Sequence, residues 1–129
     1  MPKYLIHHHF ARREHWDLRL EVDGVLKSWA VPKEPSADPK VKRLAIQVED
    51  HPLEYGDFEG TIPEGQYGAG EVKIWDEGTY ENIRSLPMAQ ALAQGQVEVL
   101  FSGRRLKGAY ALIRFKGEEK NWLFLKMKD

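Results

Sequence analysis

The run His15-Trp16-Asp17-Leu18-Arg19-Leu20-Glu21-Val22 alternates polar and apolar residues with a period of two. Successive side chains of a strand point to opposite faces. His15, Asp17, Arg19 and Glu21 therefore share one face, and Trp16, Leu18, Leu20 and Val22 turn to a core on the other. The run leads into Val22-Asp23-Gly24-Val25, and Asp-Gly between two apolar residues is a strong signal for a two-residue hairpin. Pairing Val22 with Val25 sets the register, so that Arg19 faces Ser28 and Asp17 faces Ala30. Small neighbours leave space above Asp17 for a bound ion. A solvated strand would carry Thr, Ser, Lys or Glu on its polar face; His, Asp and Arg in file mark a candidate site instead.

The rest of the chain continues in strands. Val41 to His51 alternates again, and a simple period of two puts Leu44, Ile46 and Val48 on an apolar face. Arg43, Ala45, Gln47, Glu49 and His51 then form a second polar row. Two such rows suggest a shared pocket. A long Gly/Pro-rich loop region from His51 to Gly70 precedes a strand at Val72–Tyr80, and three more strand-like runs follow Gly95. Ser85 to Gly95 reads as a helix, capped by Ser85, with Pro87 in its first turn and Gly95 ending it. About seven short strands, Gly-rich turns and one short helix predict a mainly β protein, an antiparallel barrel or sandwich.

At 129 residues the expectation is one domain spanning 1–129, and 42% hydrophobic residues with four Trp suffice for a core. No apolar run approaches the roughly 18 residues of a membrane span, and no signal peptide is visible. The absence of cysteine points to a reducing cytoplasm. Net charge is −1, but its distribution is uneven. Six acids and no Lys or Arg lie between Glu49 and Glu64, whereas eight basic and three acidic residues follow Gly103. A basic end, including Arg104, Arg105 and Lys107, suits phosphate contacts along a nucleic acid, or simply a solvated charged face.

Two His and one Asp are the composition of a 2-His-1-carboxylate metal site with open positions for water or substrate. His15 and Asp17 lie about 7 Å apart along one strand face. His9, six residues earlier, is close enough to return to the same place. Arg19, Arg43, Lys33 and His51 lie on or beside the polar rows. Cations next to a metal suit a phosphate, because Arg grips two oxygens through a planar fork and Lys adds a point charge. Glu49 is expected to hold these cations in place. No Walker loop, GxSxG, HExxH, CxxC or GxGxxG motif is present.

The whole string H-x5-H-W-D-L-R-L-E-x-D-G-V-L-K-S-W-A-V-P-K, with KRLA-x-x-VEDHPLEY-x-DFEG-x-IPEG-x-YGAG and a C-terminal NWLFLK, closely resembles the 3′-phosphoesterase domain of bacterial ligase D, the multidomain enzyme of non-homologous end joining. The resemblance runs from about Tyr4 to Tyr80 and resumes near the C-terminus. It implies a compact antiparallel β-barrel and a Mn²⁺-dependent site that processes DNA 3′ ends, with Zn²⁺ or Co²⁺ as substitutes. A terminal ribonucleoside is removed first, and the 3′-phosphate left behind is hydrolysed to a 3′-OH. By matching position, the resemblance makes His9, His15 and Asp17 the metal ligands. It places Arg19, His51 and Tyr55 on the phosphate, with Lys33, Arg43 and Glu49 also in the catalytic site. Partners would be primer-template or 3′ ends bearing a ribonucleotide or phosphate, and separate ligase and polymerase proteins of end joining. Family members carry an N-terminal arm that Met1 to Ile6 cannot supply, so the phosphatase reaction is expected to outpace ribonucleoside removal. Two readings of other classes compete: a non-catalytic module that binds 3′-phosphate ends, and a 2-His-1-carboxylate iron oxygenase, which the surrounding cations disfavour.

Overall fold

The computed structural model describes residues 1–128. Nine strands form the sheet: β1 (Lys3–Phe10), β2 (His15–Val22), β3 (Val25–Val31), β4 (Arg43–Pro52), β5 (Gly60–Ile62), β6 (Gly70–Asn82), β7 (Gln96–Gly103), β8 (Lys107–Arg114) and β9 (Asn121–Lys126). All pairings are antiparallel. Eight strands in the order β1-β2-β3-β4-β9-β8-β7-β6 close on themselves through β1–β6, and β5 extends the sheet beside β6. Closure removes the free edges that an open sheet would expose. The expected mainly β architecture, a closed antiparallel barrel with a single α-helix, is the one observed.

The β2–β3 hairpin has the register set by its turn. Val22 pairs with Val25, Arg19 with Ser28 and Asp17 with Ala30. Asp23 and Gly24 both take left-handed backbone conformations, at φ 50° and 84°, as a two-residue turn of this twist requires. Tyr4, Ile6, Leu18, Leu20, Trp29, Tyr110, Trp122 and Phe124 fill the barrel interior. The opposite face of β1 and β2 carries Leu5, His7, His9, His15, Asp17 and Arg19, paired directly across the two strands.

The alternation along β4 differs from a simple period of two. Ser28 pairs with Val48 but Leu26 pairs with His51, so one extra residue is accommodated between them as a bulge. Before the bulge, Ala45 is buried in the barrel and Leu44 is exposed, the reverse of the expected faces. Ile46 and Val48 fall opposite Ala30 and Ser28, on the face of Asp17 and Arg19. After the bulge, His51 returns to that same face. The expected polar row of Arg43, Ala45, Gln47, Glu49 and His51 is therefore not one face.

The helix α1 (Met88–Gln94) also starts later than expected. Its N-cap position is Pro87, and no side chain caps it, so Ser85 is not the cap. Gly95 ends it in a left-handed conformation at φ 78°, as its position implied. The loop from Leu53 to Ile62 folds back over the sheet. A 3₁₀ turn over Leu53–Asp57 lays Gly56 against Leu5 and Leu26, and a β-carbon there would sit 3.1 Å from Leu5.

Asp76 fastens the barrel on the side of β6. Its buried carboxylate accepts the Tyr4 hydroxyl at 2.7 Å and the backbone N–H groups of Arg104, Arg105 and Leu106 at 2.7, 3.0 and 2.9 Å. Burial pushes this carboxyl up, but the N–H groups and Tyr4 outweigh it and hold it below the usual carboxylate range. Asp76→Ala is expected to lower the unfolding free energy by about 3 kcal/mol at neutral pH, because it orphans several donors at once. A carboxyl with a depressed folded-state pKa stabilises above its unfolded pKa, and that contribution is lost as pH falls through the folded value. Urea unfolding at pH 7 and pH 3 checks this: the gap between the two proteins should narrow in acid.

Candidate metal centre and anion pocket

Three ligand atoms converge where the β1–β2 hairpin ends. His9 and His15 are directly opposed across the two strands, and Asp17 is two residues further along β2. His9 Nδ1 lies 3.2 Å from His15 Nε2 and 3.7 Å from an Asp17 carboxylate oxygen, which is 3.2 Å from His15 Nε2. For ligands about 2.1 Å from an ion, neighbours are about 3.0 Å apart at right angles and about 3.4 Å apart in a tetrahedron. The observed triangle suits a small divalent transition ion.

The backbone fixes which nitrogen each ring presents. His9 Nε2 is 2.6 Å from the Gly68 carbonyl, and His15 Nδ1 is 2.9 Å from the Arg13 carbonyl. A carbonyl only accepts, so both of these nitrogens carry the proton. The neutral rings then direct two lone pairs and a carboxylate oxygen at one point, which is unfavourable until a cation sits among them. Each His–carbonyl bond also orients its ring as a metal-bound imidazole requires. The His9 support depends on the loop before β6: Gly70, at φ 128°, is packed so tightly on the Phe10 carbonyl that no side chain fits there.

The electrostatics favour the same occupant. Asp17 is nearly buried, and burial alone would raise its pKa. When His15 or His9 takes up a second proton in place of an ion, its ring N–H donates to this carboxylate; these bonds and the charge of Arg19 overcome burial, so the carboxyl stays well below its usual range and ionised. Burial acts to lower the pKa of His15, but the Asp17 hydrogen bond and charge, with the Arg13 carbonyl, leave it raised.

Beside the triad lies Arg19, 3% exposed. Its Nε donates to His7 Nδ1 at 3.0 Å and its Nη1 to Ser28 Oγ at 2.7 Å. Nη2 is 3.5 Å from Asp17, and the guanidinium lies 5.0 Å over the Tyr55 ring. Burial lowers its pKa against the pull of Asp17 and Tyr55, yet a guanidinium keeps its charge in a protein. His51 Nδ1 lies 2.9 Å from the Glu49 carbonyl, so it carries the proton and donates there; Arg19 Nη1 is a 3.1 Å neighbour of the same nitrogen, and the lone pair on Nε2 turns outward. Burial and the Arg19 charge lower the pKa of His51, so its ring is neutral near pH 7. Burial raises the pKa of Tyr55, with Arg19 opposing, so its hydroxyl keeps its proton as a donor.

These groups share one cavity of about 480 Å³, lined by His9, His15, Asp17, Arg19, His51 and Tyr55. Glu49 is also on its wall. Its carboxylate is exposed, and its observed link to the site is the backbone carbonyl that holds His51 rather than an ion pair. Ala30 lines the floor and leaves the space above Asp17 that its size implied; Val48, Ile62 and Tyr67 add an apolar side. Lys33 and Arg43 are not part of this wall. Lys33 is exposed beyond the end of β3, and Arg43 Nε donates to the Glu34 carbonyl at 2.8 Å. Both stand at the metal end of the sheet, since Trp16 pairs with Val31. Arg104 and Arg105 lie in the β7–β8 turn beside Gly78, which pairs with Tyr4, whereas His9 pairs with Val72. They are thus roughly 17 Å along β1 from His9.

Residue reading alone did not single out His7, Ser28 or the carbonyls of Arg13, Phe58 and Gly68. His7 was accessible in principle, because it shares the parity of His9 on β1. The carbonyls carry no side-chain signal.

Two comparisons bear on this site. Residues 7–114 match the family model described as the DNA Ligase D 3′-phosphoesterase domain. The chain is 49% identical over 129 residues to the multifunctional non-homologous end joining protein LigD of Pseudomonas aeruginosa, covering 98% of this chain and 15% of that protein. It is 50% identical over 126 residues to the multifunctional non-homologous end joining DNA repair protein LigD of Mycobacterium tuberculosis strain H37Rv, covering 98% of this chain and 16% of that one. The match to the LigD protein of Mycolicibacterium smegmatis is 48% over 132 residues, covering 98% and 17%. The chain thus spans less than a fifth of the length of these relatives.

Proposed function

Because this chain belongs to the DNA ligase D 3′-phosphoesterase domain family, we propose that it is a Mn²⁺-dependent phosphoesterase that trims DNA 3′ ends to a 3′-OH for end joining. The observation that carries the reading is the immobilised Arg19 beside the His9–His15–Asp17 triad in one cavity. A divalent transition ion held by His9, His15 and Asp17 would act as a Lewis acid on a phosphoryl oxygen and make a water molecule more acidic. The remaining work falls to the protein. Arg19 has Nε and one Nη1 hydrogen committed, so it offers its Nη1–Nη2 edge to two phosphoryl oxygens and offsets the charge that builds there. The Tyr55 hydroxyl donates to a third oxygen. His51 accepts a hydrogen bond through its Nε2 lone pair, from the attacking water or from a protonated phosphoryl oxygen. Lys33 and Arg43, at the metal end of the sheet, meet the strand that leads to the terminal phosphate. Glu49 acts by fixing His51.

The substrates are a 3′-phosphate and a 3′-terminal ribonucleoside. The partners are DNA ends, with ligase and polymerase proteins of end joining, in the cytoplasm. No helix among the described residues is long and apolar enough to cross a membrane. The test uses primers ending in a 3′-phosphate or one 3′-ribonucleotide, with Mn²⁺ or with chelator, resolved by product end chemistry. Mn²⁺-dependent conversion of both to a 3′-OH is expected. Tight binding of the 3′-phosphate end without turnover would overturn the enzymatic reading in favour of an end-binding module.

A further inference from the structure

We propose that His7 is a positioning residue, a neutral imidazole that orients Arg19 and ties it to the loop over the site; this rests on the reading of Arg19 as the phosphate grip. His7 is one β-strand step from His9 and fully buried, but its ring is turned away from the metal position. Nε2 lies 3.0 Å from the Phe58 carbonyl, so it carries the proton and donates. Nδ1 is then a lone pair, and it receives Arg19 Nε–H at 3.0 Å. One ring thus bridges a backbone carbonyl in the 53–62 loop and the side edge of the guanidinium. Its edge also meets the Tyr55 ring at a centroid distance of 5.2 Å.

The bridge has two consequences. It occupies Nε, so Arg19 cannot present the Nε–Nη2 fork and is left with its outer Nη1–Nη2 edge facing the cavity. It also links the placement of Arg19 to that of Tyr55, because the turn bearing Tyr55 precedes the Phe58 carbonyl directly. Both ring nitrogens are engaged, Nε2 by a group that only accepts and Nδ1 by a group that only donates, so the surroundings fix the tautomer that accepts from Arg19.

The test compares His7→Leu, which keeps bulk and loses the acceptor, with His7→Gln, whose amide can both accept from Arg19 and donate to Phe58. His7→Leu should lower kcat/KM on a 3′-phosphate primer about 10- to 100-fold, the range for loss of one hydrogen bond to a charged group. Mn²⁺ affinity should be unchanged, and His7→Gln should recover most of the loss. In an Arg19→Ala background, His7→Leu should cost nothing further. Full activity of His7→Leu, an equal loss on top of Arg19→Ala, or loss of Mn²⁺ binding would each overturn the proposal. If His7→Leu does not fold, ¹⁵N NMR of the wild-type imidazole decides: the Nε2–H tautomer supports the bridge and Nδ1–H overturns it. If wild type proves inactive on 3′-phosphate primers, the proposed function fails. The His7 proposal is then read from inorganic phosphate binding, weakened by Leu and kept by Gln, with equal binding by both overturning it.

Discussion

Asp17→Asn and His15→Ala are each expected to reduce Mn²⁺-dependent hydrolysis of a 3′-phosphate by about 1,000-fold or more, since losing several kcal/mol of metal-derived stabilisation costs tenfold per 1.4 kcal/mol. The choice of variants follows from burial. Asp17 is 6% exposed and lies beside the buried Arg19, so deleting its side chain would leave a desolvated guanidinium with less compensation. Asparagine keeps the volume and removes the charge that the ion needs. His15 is more exposed, and its side chain leans on the Arg13 carbonyl rather than on the core, so alanine removes a ligand at little structural cost. Mn²⁺ titration followed by electron paramagnetic resonance should show weakened binding in both; without metal, His15→Ala should melt close to wild type and Asp17→Asn earlier, because asparagine does not offset the Arg19 charge. Full Mn²⁺-dependent turnover by either variant would sink the ligand assignment.

The triad was legible because two local rules suffice to place it. Period-two alternation put His15, Asp17 and Arg19 on one face, and the Asp-Gly turn fixed the neighbour of each on β3. His9 needed only a tight return between β1 and β2. Arg43 was misplaced for a different reason. A bulge between Val48 and His51 changes the parity of β4 without any Gly or Pro to announce it, so His51 reaches the cavity while Arg43, counted on the same row, turns to the Glu34 carbonyl. The bulge is a product of long-range pairing with β3, which a local pattern does not encode. Ser85 failed as a cap because Pro87 occupies the N-cap position itself. The groups that lock the site are mostly backbone carbonyls, from Arg13, Phe58 and Gly68 in loops and from Glu49 in β4. Residue types pick out the candidate ligands, whereas tertiary closure supplies what orients them.

Arg19→Lys is expected to behave almost like Arg19→Ala, with 3′-phosphate hydrolysis down about 100- to 1,000-fold in both and Mn²⁺ still bound, because charge alone does not reproduce a two-point planar grip. The surroundings of Arg19 make the point sharper than a general comparison of the two side chains. The guanidinium satisfies His7 Nδ1 and Ser28 Oγ with one edge and one hydrogen, and still offers an outer edge to the cavity. An ammonium is a single centre. If it reaches Ser28 it leaves His7 without a donor, and its remaining protons cannot span two phosphoryl oxygens. Removing Arg19 also leaves Asp17 without its nearest permanent cation, so Arg19→Ala should melt earlier than wild type without metal and regain more stability than wild type when Mn²⁺ is added. Steady-state rates on a 3′-phosphate primer, paired with melting curves at several Mn²⁺ concentrations, read both effects. A lysine variant as active as wild type would show that Arg19 supplies only charge and that the geometry of its outer edge has no part in holding the phosphate.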